Sequence, residues 1–316
     1  MNGVLVLDRA QTRAALDTRR VVDAVAAALV ALSRGGVSAP PRIAARAPSG
    51  LLGAMPGHVP GLGLAAKLVS VFGDPARPGR GAHRGVVALF DEHDGRPLAL
   101  MDAESLTAVR TAAAATLGAR VLARPGALRH TVVGTGAQAR AQIGLLAELH
   151  PAAEVVVAGR DPGGAREAAA RHPGARVAAD LEEAVRGADV VFCCTGATSP
   201  VVHRSWLAPG THVSSVGGSH GPEIDADTVR DAVLFAEWPG AAGSPPPAGA
   251  HELQSLSPGR EVVLLGSVLA GDHPGRGGGD GLTLFKSTGH AALDVAAAHV
   301  VHAVARAEGL GTTVDL

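Results

Sequence analysis

Aromatic side chains are scarce in this 316-residue chain, which has no tyrosine, two tryptophans and five phenylalanines. The hydrophobic core must therefore be built mainly from Ala, Val and Leu. Small side chains let helices pack closely on a sheet, as in layered α/β proteins. Charged residues are also few, at 18%, whereas glycine is abundant, at 42 residues. The composition thus favours an α/β fold with many tight turns.

An excess of one charge sign is missing as well. The chain has 28 Lys and Arg against 29 Asp and Glu, which gives a formal net charge of −1. Proteins that bind nucleic acids gain most of their affinity by neutralising phosphates, and membrane-surface proteins use basic clusters. We therefore expect neither a nucleic acid nor a membrane among the partners of this chain.

Cysteines and long apolar runs are missing too. The two cysteines are adjacent, at Cys193 and Cys194, so a disulfide framework or zinc cluster is excluded, and the absence of an H-E-x-x-H motif favours no metal. The apolar run Val21–Leu32 contains Asp23 and is shorter than the ~20 residues that cross a bilayer. The first residues, MNGVLVLDRAQ, lack the basic segment of a signal peptide. These features predict a cytoplasmic location.

Two different sequence patterns follow each other along the chain. Between residues 42 and 102, short apolar segments separated by Gly and Pro predict an antiparallel sheet. After Pro125, strands alternate with helices, which predicts a parallel, doubly wound sheet. Helices are predicted from Asp17 or Thr18 to about Arg34, from Ser105 or Thr107 to about Ala123, and from His290 to Ala307.

A glycine-rich turn follows the first strand of the alternating region. Gly134-Thr135-Gly136-Ala137-Gln138-Ala139 reads G-x-G-x-x-A and opens a helix. In such a turn, the first glycine permits the sharp bend and the second lets the backbone approach a pyrophosphate at the helix N-terminus. We predict that Gly134, Gly136, Ala137 and Gln138 bind a dinucleotide.

The end of the next strand indicates which dinucleotide. NAD-binding sites usually carry an acidic residue there for the ribose 2′-hydroxyl. This chain has Gly159 at that position and Arg160 after it, whose guanidinium can pair with a 2′-phosphate, while Asp161 is better placed to cap the next helix. The sequence therefore favours NADP(H), with NAD(H) as the alternative.

Segments on both sides of this turn resemble the ornithine cyclodeaminase/mu-crystallin family over nearly the full length of the chain. The matching segments are, in order, PPRI (40–43), AAKLVSVF (65–72), GVVALFD (85–91), LTAVRTAAAA (106–115), LARP (122–125), GTGAQARAQ (134–142), GADVVFCCTGATSPV (187–201), PGTHVSSVGG (209–218) and LTLFKSTGHAALD (282–294). The resemblance implies a Rossmann-type dinucleotide-binding domain (residues 120–288). It also implies an α+β substrate and dimerisation domain from both chain ends (residues 1–119 with 289–316), and a homodimer.

The resemblance places the family's grip on the substrate carboxylate at Arg42, Lys67 and Arg110. Guanidinium groups can hold a carboxylate bidentately, and Lys67 adds a point charge. If Thr107 caps its helix, Arg110 lies in the first turn, where free N–H groups also favour an anion. Lys67 interrupts an apolar strand, so its buried ammonium requires an anionic partner.

The residue at position 219 distinguishes two chemistries. The resemblance implies that cyclodeaminases carry an aspartate there as acid/base, whereas mu-crystallin-like ketimine reductases have a serine, as this chain does at Ser219. A cyclodeaminase must handle protons at nitrogen while ammonia leaves, which a reductase of a preformed imine needs less. Ser219 therefore favours imine reduction, with Lys67 and Ser219 as the catalytic candidates. His220 beside it could relay a proton or simply face solvent.

The resemblance also assigns residues around the nicotinamide. Thr195, Val216 and Ser287 match cofactor positions, and Thr288 matches a substrate position. The sequence thus predicts an NAD(P)H-dependent reductase of a small cyclic imino acid. Ornithine cyclodeaminase or a related amino-acid dehydrogenase, and a non-catalytic NADPH-dependent binding protein, remain as alternatives. Residues 217–221 also fit the G-x-S-x-G motif of serine hydrolases, but that interpretation leaves the glycine-rich turn unexplained.

Overall fold

The computed structural model describes residues 3–73 and 81–315. Contacts within it divide the chain into two compact units, Met1–Arg110 with His290–Leu316, and Thr111–Gly289. We call them the terminal unit and the central unit. The resemblance implied boundaries at residues 119/120 and 288/289, whereas the division by contacts falls at 110/111, within helix α3 (Ala103–Leu122), and at 289/290.

The terminal unit is a seven-stranded sheet with helices. Its strands are β1 (Val4–Val6), β2 (Ile43–Ala47), β3 (Gly50–Val59), β4 (Gly63–Gly73), β5 (Gly81–Phe90), β6 (Pro97–Asp102) and β15 (Thr312–Val314), and its helices are α1 (Arg9–Ala14), α2 (Thr18–Ser33), the start of α3, and α10 (Ala291–Glu308).

The strand order in this sheet is β15-β1-β6-β5-β4-β3-β2, and all pairs are antiparallel except β1 with β6. The predicted antiparallel sheet between residues 42 and 102 is therefore confirmed. Helix α10 packs on β3 and β4, and its small side chains allow a close approach. A Cβ atom on Gly57 of β3 would lie 2.9 Å from the Cβ atom of Ala291. This packing brings the first turn of α10 next to the middle of β4.

The central unit is an eight-stranded parallel sheet with helices on both faces. Its strands are β7 (Arg129–Val133), β8 (Glu154–Ala158), β9 (Arg176–Val177), β10 (Val190–Cys193), β11 (His212–Ser215), β12 (Val233–Ala236), β13 (Val263–Leu264) and β14 (Thr283–Lys286). Its remaining helices are α4 (Ala137–Leu149), α5 (Pro162–Ala169), α6 (Leu181–Arg186), α7 (Ala226–Asp231), α8 (Gly240–Gly243) and α9 (Leu265–Leu269).

The order of these strands is β13-β12-β14-β11-β10-β7-β8-β9, and every pair is parallel. From β9 to β11, this is the 3-2-1-4-5 order of a Rossmann fold, which reverses between β7 and β10. Ligands of doubly wound sheets bind outside the carboxyl ends of the strands at this reversal. The predicted Rossmann-type architecture with a second α+β unit is confirmed.

Several details of the prediction were wrong or incomplete. The long helix α3 begins at Ala103, one turn before Thr107 and two residues before Ser105. Strands β2, β9, β13, β14 and β15 were missed, because most are very short or exposed. Within the described residues, no helix is both long enough and apolar enough to span a membrane.

Candidate active site

Two of the three predicted carboxylate-binding cations share one carboxylate in the terminal unit. Lys67 Nζ lies 2.8 Å from Asp294 Oδ2, and Arg110 Nε lies 3.0 Å from Asp294 Oδ1. All three side chains are buried, with exposed fractions of 5% for Lys67, 4% for Arg110 and 1% for Asp294. The anionic partner that the sequence required for Lys67 is therefore Asp294, from the first turn of α10.

The pKa values of this cluster reflect both burial and charge. Burial lowers the pKa of Lys67 to about 8, although Asp294 opposes the shift, while Arg110 and Arg42 add to it. Burial would raise the pKa of Asp294, but Lys67 and Arg110 hold it below its usual value. Two cations thus share one carboxylate, so the cluster carries surplus positive charge with which a second carboxylate can pair.

Arg42 and His290 belong to the same neighbourhood. Arg42 precedes β2 and is half-buried, and its charge acts on both Lys67 and His290. His290 caps α10, because its Nδ1 accepts a hydrogen bond of 3.2 Å from the backbone N–H of Ala292. Burial lowers the pKa of His290 to about 4, which makes it neutral near pH 7. The structure therefore brings Arg42, Lys67 and Arg110 together within the terminal unit.

The prediction that free N–H groups at a helix N-terminus help Arg110 to bind an anion is wrong. Because α3 begins at Ala103, Arg110 lies in its third turn, beyond the free N–H groups of the first turn. Arg110 acts through its guanidinium alone. The error arose because Ser105 and Thr107 both look like capping residues, whereas Asp102 accepts the backbone N–H of Ser105 at 2.8 Å.

In the central unit, the glycine-rich turn leaves β7 at the reversal of strand order. Gly134 has φ +122°, and a Cβ atom on it would lie 2.4 Å from the carbonyl oxygen of Cys194 at the end of β10. Both facts require glycine at this position. Gly136 differs, because a Cβ atom there would meet nothing within 4 Å. Protein packing therefore gives no reason for the second glycine, whereas a close ligand does.

The start of α4 is also open to a ligand. Gly136 caps this 13-residue helix without a side-chain hydrogen bond, so protein side chains do not occupy its first N–H groups. The Oε1 atom of Gln138 is buried without a hydrogen-bond partner among the described residues. Helix N-termini with free N–H groups favour phosphate. The turn and the backbone N–H groups of Ala137 and Gln138 therefore fit the pyrophosphate of a dinucleotide, whereas the Gln138 side-chain carbonyl oxygen, an acceptor, needs a donor from the ligand.

At the end of β8, Thr135 lies close to the position where NAD-binding sites usually carry an acidic residue. A Cβ atom on Gly159 would lie 2.5 Å from the Cγ2 atom of Thr135 in the glycine-rich turn. Arg160 is exposed, and Asp161 caps α5 through a 3.0 Å hydrogen bond from the backbone N–H of Gly163. The predicted capping role of Asp161 is confirmed. The carboxylate that usually holds the ribose hydroxyl is absent from this position, and a side chain there would have to displace the Thr135 methyl group.

The turns after β10 and β11 are joined by one buried carboxylate. Glu223 Oε1 accepts hydrogen bonds from the N–H (2.7 Å) and hydroxyl (2.6 Å) of Thr195. Its Oε2 accepts from the N–H of Gly217 (2.9 Å) and the hydroxyl of Ser215 (2.7 Å). Val216 lies between these partners and is half-buried. The predicted cofactor residues Thr195 and Val216 therefore occupy turns that Glu223 fixes.

Ser219 follows this fixed region and is exposed, as is His220. The residues between β11 and α7 form a loop, and α7 begins only at Ala226, capped by Asp225. A nucleophile elbow requires a helix directly after the serine. The geometry therefore opposes the serine-hydrolase interpretation.

The residues after β14 are held by a second buried carboxylate. Glu237 accepts a hydrogen bond from the hydroxyl of Ser287 at 2.9 Å and one from the N–H of Thr288 at 2.9 Å. The indole N–H of Trp238 donates to the hydroxyl of Thr288 at 2.9 Å. Ser287 is buried and Thr288 is half-buried. Their hydroxyl groups are oriented by neighbours, which suits a binding role more than a freely rotating surface position.

Sequence reasoning missed the acidic residues of the site. Asp294, Glu223 and Glu237 are at most 1% exposed. Asp294 ends the quoted segment LTLFKSTGHAALD and shares an apolar helix with few charges, which was the available signal. Glu223 and Glu237 gave no comparable signal, because each lies in an irregular segment rather than in a periodic pattern.

Other chemically active side chains have structural roles. Cys193 and Cys194 are buried, and burial raises the pKa of both thiols well above the usual value, as expected for core residues. His299 bonds the carbonyl oxygen of Leu62 through Nδ1 at 3.1 Å. No group of three or more His, Cys, Asp or Glu residues suited to a metal ion occurs in the described part of the chain.

Comparisons with known proteins identify relatives of the whole chain. The profile of the ornithine cyclodeaminase/mu-crystallin family matches residues 4–309. The mouse ketimine reductase mu-crystallin is 32% identical over 275 residues, which cover 85% of each chain. The structure of Thermococcus litoralis Δ1-pyrroline-2-carboxylate reductase, solved with NADH and L-proline, matches with a TM-score of 0.86 and 27% identity over 98% of this chain and all of the other.

A third similar structure is an archaeal alanine dehydrogenase dimer with bound NAD. It matches with a TM-score of 0.82 and 28% identity over 99% of both chains. Since the family profile spans nearly all of the sequence, the chain belongs to the ornithine cyclodeaminase/mu-crystallin family.

Proposed function

We propose that this chain is an NAD(P)H-dependent oxidoreductase that reduces a small cyclic imino acid, of the Δ1-pyrroline-2-carboxylate or Δ1-piperideine-2-carboxylate type. The observation that carries the proposal is the buried pair Lys67 and Arg110 sharing one carboxylate, Asp294. Such a cluster can pair with one more carboxylate, which every amino and imino acid provides. The relatives described above act on, or were solved with, molecules of this class.

The residues divide the work as follows. Arg110 and Arg42 orient the substrate carboxylate, and Lys67 adds charge beside it. When bound, NAD(P)H would supply the hydride that the imine carbon accepts, and a proton from solvent would complete the amine. The glycine-rich turn holds the dinucleotide phosphates at the start of α4. Ser219 can hydrogen-bond the nitrogen but has no charge to act as a base, which favours reduction over deamination.

NADP(H) is the proposed preference, although the two similar structures contain NADH and NAD. The support is that Gly159 provides no carboxylate for the ribose 2′-hydroxyl, while the exposed Arg160 beside it can pair with a 2′-phosphate. The test is the double variant Gly159→Asp with Thr135→Ser, which removes the obstructing methyl group. We expect the ratio of the NADH Kd to the NADPH Kd to fall about tenfold or more. An unchanged ratio in the folded variant would refute this assignment.

A homodimer is proposed through the open face of the terminal sheet. Ile43, Leu68 and Val86 lie in one row across β2, β4 and β5 and are 68%, 39% and 41% exposed. Contiguous apolar surface of this kind marks an interaction site, and the similar archaeal structure is a dimer. Light scattering should give twice the chain mass for the wild type. It should give the single mass for Leu68→Lys, and a monomeric wild type would refute the proposal.

The function is tested by NADPH and NADH oxidation over a panel of cyclic imino acids and of 2-oxo acids with amines. Arg110→Ala should lower kcat/KM about 100-fold or more, since a buried charge pair is lost. The matched control is Arg120→Ala, an exposed arginine on the same helix, which should leave kcat/KM unchanged.

L-Ornithine with NAD is the counter-test. Ammonia release that exceeds imine reduction would establish cyclodeamination instead. Tight NADPH binding without turnover of any panel member would establish a binding protein. Unchanged kcat/KM in Arg110→Ala would refute the substrate site itself.

A further inference from the structure

A group of buried charged side chains in the central unit lies outside the carboxylate and phosphate sites. Glu223, Glu252 and Lys286 each have at most 1% of the side chain exposed. Burying charges is costly unless they are paired and hydrogen-bonded. A buried network that provides no substrate contact therefore needs another reason for its presence.

The network forms hydrogen bonds with both polar backbone groups of Gly217. Glu223 Oε2 accepts the N–H of Gly217 at 2.9 Å, and Lys286 Nζ donates to the carbonyl oxygen of Gly217 at 3.0 Å. Lys286 Nζ also donates to the hydroxyl of Ser215 at 2.8 Å, and that hydroxyl donates to Glu223. A carboxylate and an ammonium thus fix the two polar groups of a single residue.

Glu252 completes the network from a separate segment. Its Oε1 accepts hydrogen bonds from Lys286 Nζ at 3.1 Å and from the backbone N–H of Glu223 at 2.8 Å. It belongs to the short 3-10 turn His251–Leu253. Glu252 therefore places both Lys286 and the backbone from which the Glu223 side chain reaches the two strand-end turns.

The backbone at Gly217 and Gly218 is closely packed against its neighbours. A Cβ atom on Gly217 would lie 2.1 Å from the carbonyl oxygen of Thr195, and one on Gly218, which has φ +80°, would lie 2.8 Å from Lys286 Nζ. Ser219 follows directly. Glu223 and Lys286 therefore fix the position of Thr195 and of the backbone that leads to Ser219.

We propose that Glu223, supported by Lys286 and Glu252, is a positioning residue for hydride transfer. It locks the turns after β10 and β11 so that Thr195 and Ser219 stay aligned with the nicotinamide and the substrate nitrogen. The proposal rests on the function proposed above. The expected kinetic effect of a Glu223 variant differs from that of a variant at the carboxylate site. Misalignment slows the chemical step, while the cations that bind the substrate carboxylate are unchanged.

The test is Glu223→Gln, which preserves shape. Its amide NH₂ must face a backbone N–H of either Thr195 or Gly217, so one turn is released. We expect kcat to fall about 10- to 100-fold, as for displacements of about 1 Å, with KM for the imino acid and Kd for the cofactor changed less than about threefold. A larger kinetic isotope effect on kcat with 4-deuterated cofactor should accompany the loss. Glu182→Gln, a half-buried surface glutamate of α6, is the matched control.

Several outcomes would overturn the positioning role. These are an unchanged kcat or isotope effect in folded Glu223→Gln, or a loss that appears entirely in cofactor Kd. If this variant does not fold, Ser215→Ala removes one hydroxyl of the network without a charge. It should lower kcat about three- to tenfold at constant KM, and unchanged kcat would again refute the proposal.

A wild type that reduces no imino acid refutes the proposed function, and then the fluorescence of bound NADPH tests the positioning alone. Emission of the bound dihydronicotinamide should differ between wild type and Glu223→Gln at equal saturation. Identical emission would refute the positioning role.

Discussion

The substitution Asp294→Asn tests the central feature of the candidate site without any assay of activity. It keeps the shape of the side chain but removes the negative charge between Lys67 and Arg110, which are 5% and 4% exposed. Breaking a buried ion pair by removing one partner costs about 3–5 kcal/mol, because the remaining charge is left uncompensated. We expect the free energy of opening of the terminal unit to fall by that amount.

Hydrogen exchange of backbone amides in α10 and β4 measures this loss locally. Each 1.4 kcal/mol corresponds to about tenfold, so exchange should accelerate roughly 100- to 4,000-fold. Amides of α4 in the central unit serve as an internal reference. The matched control is Asp227→Asn, which removes an exposed partner of Arg230 and should change stability by less than about 0.5 kcal/mol.

The pH dependence of the effect identifies its electrostatic origin. The pKa of Lys67 is already lowered to about 8, chiefly by burial, and Asp294→Asn removes the charge that raises it. Without that charge the pKa of Lys67 falls further, so the folded variant releases the proton at a lower pH than the wild type. The stability deficit of the variant should therefore shrink as pH rises toward 8 and stay constant above it, where both folded proteins hold Lys67 neutral. An added carboxylate ligand should restore stability too. A loss below about 1 kcal/mol, or one independent of pH, would refute the reasoning.

Three further outcomes are expected. Because the pKa of Lys67 is about 8, kcat/KM for an imino acid should fall above pH 8 as the ammonium is lost, and Lys67→Arg should move that limb to higher pH. Gly134→Ala should disrupt the central unit, since glycine φ +122° and a 2.4 Å backbone contact are both violated there, whereas Gly136→Val should fold and lose cofactor affinity. Burial lowers the pKa of His130 to about 4 and of His212 to about 3. Below pH ~6.5 both histidines take up a proton in the unfolded chain before they do so in the folded one. Urea titrations should therefore show the free energy of unfolding of the central unit falling by up to about 1.4 kcal/mol per pH unit for each histidine. His130→Gln should reduce that slope.

The phosphate turn illustrates what local sequence can predict. Gly134 is required by backbone geometry alone, and the alternation of apolar strands with helices around it has a period that can be counted along the chain. The same holds for Asp161, whose side chain bonds a backbone group two residues away. Interactions of this kind involve neighbours in sequence, so their geometry follows from the order of residues.

Arg110 shows the limit of that approach. Its position near a run of possible capping residues suggested a helix-terminus site, but Asp102 and not Thr107 bonds the first turn of α3. Competing caps differ by about 1 kcal/mol, which tertiary contacts easily override. The ion-pair partner of Arg110 is Asp294, 184 residues away.

The sequence by itself determined the doubly wound sheet, the position of the glycine-rich turn between β7 and α4, and the need of Lys67 for an anion. Only the tertiary structure decided which anion pairs with Lys67. It also showed that Glu223, Glu237 and Glu252 hold the turns at the strand ends. The physical reason is that a carboxylate in a loop or on an apolar helix has no periodic signature. Its role appears only when folding removes it from water and leaves one set of donors within reach.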